Sequence, residues 1–133
     1  MTSQYGQGDA TFQAAGAEPG IRELVTQFYA NMATNHPQLF ELHTDTTTAA
    51  IDKLASFLCG WMGGPRLYQE KYGPISIPGV HAHLVVDDHL RDEWLACMAT
   101  ALKSMDYPQA LQTYLLEQLS KPAQMIRKTS RTD

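Results

Sequence analysis

The chain has 133 residues, 44% of them apolar and 18% charged, and a formal net charge of −4. That is one domain's length with an ordinary globular balance, enough to build a core without disulfide or metal staples. The acidic sign argues against a partner that presents a phosphate backbone, so nucleic acid is not expected. No apolar run approaches the roughly 20 residues that span a bilayer, so no membrane partner is expected either. The N-terminal stretch MTSQYGQGDA has neither a basic start nor an apolar core, and a cytoplasmic location is the expectation. Cys59 and Cys97 are the only cysteines. They form no CxxC site and read as reduced, buried, small apolar residues.

Residues 1–8 read as a loose polar arm, residues 9–127 as the folded domain and residues 128–133 as a frayed tail. Asp9 is placed to cap a short helix over 10–15, closed by Gly16. Glu18-Pro19-Gly20 opens a stronger helix. Its Ile21, Leu24, Val25, Phe28, Tyr29 and Met32 recur at helical spacing and predict a buried face. Asn35 is a stop, and His36-Pro37 begins a short helical turn. After the polar link Thr44 to Thr48, Ala50, Ile51, Leu54, Phe57, Leu58, Trp61 and Met62 line one side of the next helix. Gly63-Gly64-Pro65 ends it.

A short helix is predicted near Leu67 to Tyr72, then irregular chain, then a brief helix carrying His81. Asp87-Asp88 caps a long helix whose inner face is Leu90, Trp94, Cys97, Met98, Ala101, Leu102 and Met105. Asp106-Tyr107-Pro108 breaks it. The last helix buries Leu111, Leu115, Leu119 and Ile126, and Pro122 within it predicts a kink or an end. No segment shows convincing strand alternation, so the fold class is all-α.

Two features carry chemistry. Five histidines, His36, His43, His81, His83 and His89, supply the commonest metal and haem ligand. His81 and His83 point to different faces on a helix, which disfavours a shared metal; on extended chain they face one side, which leaves zinc open. The second feature is Tyr29 and Trp94 on buried stripes, where O–H and N–H groups need partners. Either each bonds a backbone carbonyl, or both donate into one cavity that holds a polar ligand.

Phe28-Tyr29, the string Trp61-Met62-Gly63-Gly64-Pro65 with Tyr68, His81, and Trp94-Leu95 followed by Cys97-Met98 stand in a shared order and spacing. In this they resemble the group II truncated haemoglobins. The histidine 16 residues after the proline and the tryptophan 13 residues further on make the combination specific. The resemblance spans roughly residues 10–126. It implies a truncated globin, a two-on-two helical sandwich around haem.

The resemblance also implies roles. His81 is the proximal iron ligand, bound through Nε2, with its other nitrogen donating to a backbone carbonyl; His83 is then a rim residue. Tyr29, His43 and Trp94 are the polar distal trio, with His43 assigned from Leu42-His43 ahead of its helix. Ala50 falls at the distal gate, Leu54 and Phe57 are apolar walls, and Met98 also faces the haem. Lys53 and Tyr68 are placed to reach haem propionates. Family members often carry basic residues before the proximal histidine; here Ser76-Ile77-Pro78-Gly79-Val80 has none. No Cys-x-x-Cys-His stretch exists for covalent attachment, so the cofactor is haem b.

The ligands implied are dioxygen, nitric oxide and carbon monoxide. Donors in a dry cavity stabilise negative charge on such a ligand. Redox chemistry, nitric oxide dioxygenation or reaction with peroxide, is the first function implied. It needs an external reductase, because no reductase domain fits on this chain. The alternatives are oxygen storage, delivery or sensing without turnover, and a haem-free helical interaction module.

Overall fold

The computed structural model describes residues 5–41, 47–73 and 88–129, and every element among them is helical. They are α1 (Ala10–Ala14), α2 (Ala17–Asn35), α3 (Pro37–Glu41), α4 (Thr47–Trp61), α5 (Leu67–Tyr72), α6 (Asp88–Ser104) and α7 (Gln109–Thr129). Helix α2 packs against α4 and also against α6, and α6 packs on α7. The pairs α2/α4 and α6/α7 thus form a two-on-two arrangement. Helix α1 rests on α2, α3 bridges α2 and α6, and α5 lies on α4.

Residues with restricted backbones set the boundaries. Gly16 takes a left-handed φ of 95° ahead of α2, and Asp106 one of 57° between α6 and α7. Pro37 opens α3, where its missing N–H is an orphan in any helix. Asp9 precedes α1 but makes no side-chain cap; its Oδ2 accepts instead from Gln13 Nε2 at 3.2 Å. The expected cap is therefore replaced by a bond along the helix flank. Pro122 does not end α7, which continues to Thr129. An interior proline deletes one helical hydrogen bond. The buried face of Leu111, Leu115 and Leu119 holds the helix against that loss.

All six apolar positions expected on α2 are buried. On α4 the outcome differs. Ala50, Ala55, Leu58 and Cys59 are buried, whereas Ile51, Leu54, Phe57 and Trp61 are half-buried and pack against the core from its edge. On α6, Cys97, Met98, Ala101 and Leu102 are buried and Leu90 and Trp94 are half-buried, as is Met105 just past its end. Both cysteines are free and buried, as expected. His43 and the Thr44–Thr48 link up to residue 46 fall outside the described residues, as do residues 74–87 with the expected His81 helix and Asp87.

The turn after α4 is a close approach of backbones. Gly63 adopts φ 95°, and a Cβ there would overlap the carbonyl oxygen of Gly8. A Cβ on Gly64 would enter the Phe12 ring. The backbone N–H of Phe12 donates to the Met62 carbonyl at 3.1 Å, which docks α1 on this turn. Residues 5–8, expected within an arm, hold to the body: the Gly6 N–H donates to Thr11 Oγ1 at 2.7 Å, and the Tyr5 ring lies 5.3 Å from that of Tyr114. At the far end of α1 the Tyr107 hydroxyl donates to the Ala15 carbonyl at 2.7 Å, and burial pushes this phenol up to about 12.

A polar clasp joins α2, α4 and α5. Asp52 Oδ1 accepts from Arg22 Nη2 at 2.8 Å and from Lys71 Nζ at 2.9 Å, and its Oδ2 accepts from the Tyr72 hydroxyl. Arg22 Nε also donates to Glu18 Oε2 at 2.9 Å. The hydrogen bonds from Tyr72, Lys71 and Arg22 hold the Asp52 carboxyl far below the usual carboxylate range. A lowered folded-state value means stability that is present above the unfolded value, about 3.9, and is lost as pH falls towards the folded one. Asp52→Asn is therefore expected to cost about 1 kcal/mol at pH 7, after allowance for solvent screening. The gap between the two melting temperatures closes as the pH drops below about 4. Parallel melting curves across that range would remove this role.

Candidate functional site

The site is built on neighbouring positions of α2 and α6. Phe28 is fully enclosed and Tyr29 is 7% exposed, both on α2; Trp94 on α6 is half-buried. The Phe28 ring lies 5.1 Å from that of Tyr29 and 5.1 Å from that of Trp94, tilted 66° and 65° respectively. Both contacts are edge-to-face, which sets the positive edge of one ring against the negative face of the next. Phe28 thereby joins the two aromatic residues that carry polar donors.

Among the described residues, the Trp94 indole N–H has no hydrogen-bond partner, and its ring packs on that of Phe28. Among the described residues no backbone carbonyl engages it. Indole N–H is a donor only. It can therefore serve only a group that accepts.

Helix α4 packs on α2 and carries the apolar side chains expected near the site. Ala50 is 7% exposed, and Leu54 and Phe57 are half-buried against the core. Met98 stands one turn beyond Trp94 on α6 and is fully enclosed, so its first role is core. Lys53 and Tyr68 come together at Tyr72. Lys53 Nζ lies 5.7 Å from the Tyr72 ring centroid, and the Tyr68 ring lies 5.0 Å from it. A cation at that distance is attracted to the ring face. His43 and His81 lie outside the described residues, as does the His81–His83 pair on which a zinc reading rests.

Of the remaining histidines, His36 Nδ1 is 3.4 Å from Glu93 Oε1, and His89 Nε2 is 3.9 Å from Glu93 Oε2. Among the described residues no group of three His, Cys, Asp or Glu side chains is placed to hold a metal ion. No helix among them is long and apolar enough to cross a membrane.

Two participants were not singled out by the sequence reading, and Phe28, which carried the resemblance beside Tyr29 and was read as core, has its ring against both Tyr29 and Trp94. Asp52 organises the cluster around Lys71 and Tyr72. Asn31 reaches from α2 to Cys97 on α6. Polar residues inside helices give no sequence signal of a partner on another helix.

These residues fit a haem. A flat apolar macrocycle would need apolar walls, and Leu54 and Phe57 are half-buried apolar side chains on α4. A small ligand at its iron would need a donor, and the Trp94 indole N–H, without a partner among the described residues, is one. Charged propionates would need cationic or hydroxyl groups, and Lys53 and Tyr68 both lie against the Tyr72 ring.

Comparison with known proteins agrees. The family model of bacterial-like globins matches residues 10–128. Group 2 truncated hemoglobin YjbI of Bacillus subtilis (strain 168) is 29% identical over 126 residues, 94% of each chain. The group II truncated hemoglobin of Bacillus anthracis superposes with a TM-score of 0.81 at 29% identity, covering 87% of this chain and 88% of that one. A truncated oxygen-avid haemoglobin from Bacillus subtilis superposes with a TM-score of 0.80 at 27% identity, covering 87% of this chain and 97% of that one. The chain belongs to the bacterial-like globin family, its likeness within that family is to the group II truncated haemoglobins, and it is accordingly a haem-binding globin.

Proposed function

We propose that the chain binds one haem b without a covalent bond and holds dioxygen and other small diatomic ligands between Tyr29 and Trp94. Redox turnover, nitric oxide dioxygenation or reaction with peroxide, is the role assigned to it. The observation that carries this reading is the half-buried Trp94 indole N–H, which has no partner among the described residues and is linked to Tyr29 through Phe28. The oxygen-avid description of the Bacillus subtilis structure supports the same reading.

Haem supplies an iron centre that binds diatomic ligands and passes electron density to them. His81 is assigned as its protein ligand, with the second ring nitrogen held by a backbone carbonyl. Trp94 donates to the ligand's outer atom. Tyr29 donates there too, or accepts from a neighbour, and His43 is assigned as the third polar group. Leu54 and Phe57 exclude water, and Ala50 leaves room for a second small molecule to enter. Lys53 and Tyr68 are assigned to the propionates. An external reductase is assigned as the electron source for turnover, and the cytoplasm as the location.

The purified protein is expected to show the absorption spectrum of a histidine-ligated haem b. His81→Gly abolishes normal ligation and His83→Ala leaves the spectrum intact; the reverse pattern would overturn the ligand assignment. Trp94→Phe keeps the ring contact with Phe28 and deletes the donor. A hydrogen bond to a charged atom contributes roughly 1.5–3 kcal/mol, so oxygen release should quicken about tenfold or more. Equal release rates in the two proteins would sink the donor role of Trp94. The enzymatic part is tested by rapid mixing of the oxygenated protein with nitric oxide, cycled with a reductant. Fast nitrate formation with fast re-reduction is expected. Re-reduction over many minutes would instead favour oxygen storage, delivery or sensing.

A further inference from the structure

We propose that Asn31 is the positioning residue of the ligand site: its side-chain amide, clamped on Cys97, sets the register in which α2 and α6 present Tyr29 and Trp94. The inference rests on the reading of those two side chains as ligand donors.

Helices α2 and α6 meet through buried apolar faces, Phe28 and Met32 on one and Cys97, Met98 and Ala101 on the other. Dispersion contacts are individually weak and not directional, so such a face tolerates small slides. A donor bond does not, because it weakens steeply with distance and angle. Two donors on two helices need a directional link between those helices close to where the donors sit.

Asn31 supplies that link. Its Nδ2 lies 3.2 Å from Cys97 Sγ and 3.5 Å from the Cys97 carbonyl oxygen. A carbonyl oxygen only accepts, which fixes the amide with its nitrogen towards α6. Asn31 Oδ1 accepts from Asn35 Nδ2 at 2.5 Å, one turn further along α2, and this steadies the amide plane. The Cys97 thiol in turn donates to the Phe28 carbonyl at 3.7 Å. Burial pushes this thiol up, so it keeps its proton and remains a donor. One side chain of α6 therefore grips α2 at Phe28 and at Asn31, one turn apart. Asn31 stands two residues beyond Tyr29, Cys97 three beyond Trp94, and the Phe28 ring touches both aromatics.

A further polar contact between these regions is His36 Nδ1 with Glu93 Oε1, at 3.4 Å. It lies beyond the last turn of α2 and is partly exposed, whereas the neutral amide and thiol sit beside Phe28.

The test uses the carbonmonoxy and oxygenated haem protein. Asn31→Leu removes the donor at similar volume. Asn31→Asp keeps the side-chain shape without the donor and carries the same test where leucine disturbs folding. Both variants are expected to shift the nuclear magnetic resonance of the Trp94 indole N–H and to speed oxygen release by about three- to tenfold. Cys97→Ser retains a group that donates and accepts, and should stay within about twofold of the wild-type rate. An unmoved indole signal and an unchanged release rate, with only a lower melting temperature, would make Asn31 merely structural and overturn the proposal. A moved signal in a protein whose Trp94→Phe variant releases oxygen like wild type would keep the register claim and overturn the donor reading instead.

Discussion

The contact of the Phe28 ring with both Tyr29 and Trp94 is the constraint on which the site depends. Phe28 is fully enclosed, so the core and not the solvent decides where it sits. An edge-to-face pair has a narrow range of good geometries. With two such pairs sharing one ring, neither outer aromatic turns freely without loosening its contact. Because α2 packs on α4 as well as on α6, the helix that carries Phe28 also sets how far the wall residues of α4 stand from Trp94.

Helix α4 is held on both sides of those wall residues. Near its start, Asp52 is tied to Arg22 of α2 and to Lys71 and Tyr72 of α5. Past its end, Gly63 and Gly64 meet Gly8 and Phe12 with no space for a side chain. Leu54 and Phe57 lie between these anchors. Leu54 and Phe57 can therefore stay half-buried while the backbone of α4 is fixed by contacts elsewhere.

Most of the helix boundaries were legible because proline, glycine and left-handed residues mark them. The buried face of α2 was legible in full, since every apolar position there meets the core. On α4 the periodicity showed a wide apolar arc but not which half of it touches the core. Period alone cannot tell a core face from a ligand wall, as both are apolar. Asp9 and Pro122 show local rules losing to context: a flank bond replaces the cap, and packing carries the helix through the proline. Asp52 and Asn31 were not legible, because their partners lie on other helices; Cys97 is 66 residues from Asn31. Tyr29 and Trp94 were legible as candidates through the oddity of polar atoms on apolar stripes, and their expected roles came from the resemblance. His43 and His81 rest on the resemblance, and their positions lie outside the described residues.

The chemistry of the donors bears on which ligands the site favours. Trp94 can only donate, and Tyr29 donates or accepts. A hydrogen bond to a charged acceptor contributes roughly 1.5–3 kcal/mol, against about 0.5–1.5 kcal/mol for a neutral one. Dioxygen gathers more negative charge on its outer atom than carbon monoxide does, so on the proposed reading each donor would separate the two ligands by about 1 kcal/mol, several-fold in affinity. Two donors on one atom compound that preference only if both stay within bonding distance together. The preference is thus a property of the α2–α6 contact as much as of either side chain. Small apolar shifts within that contact cost little by themselves, so on the proposed reading it is the directional bonds of Asn31 and Cys97 that would hold the two donors together as one site.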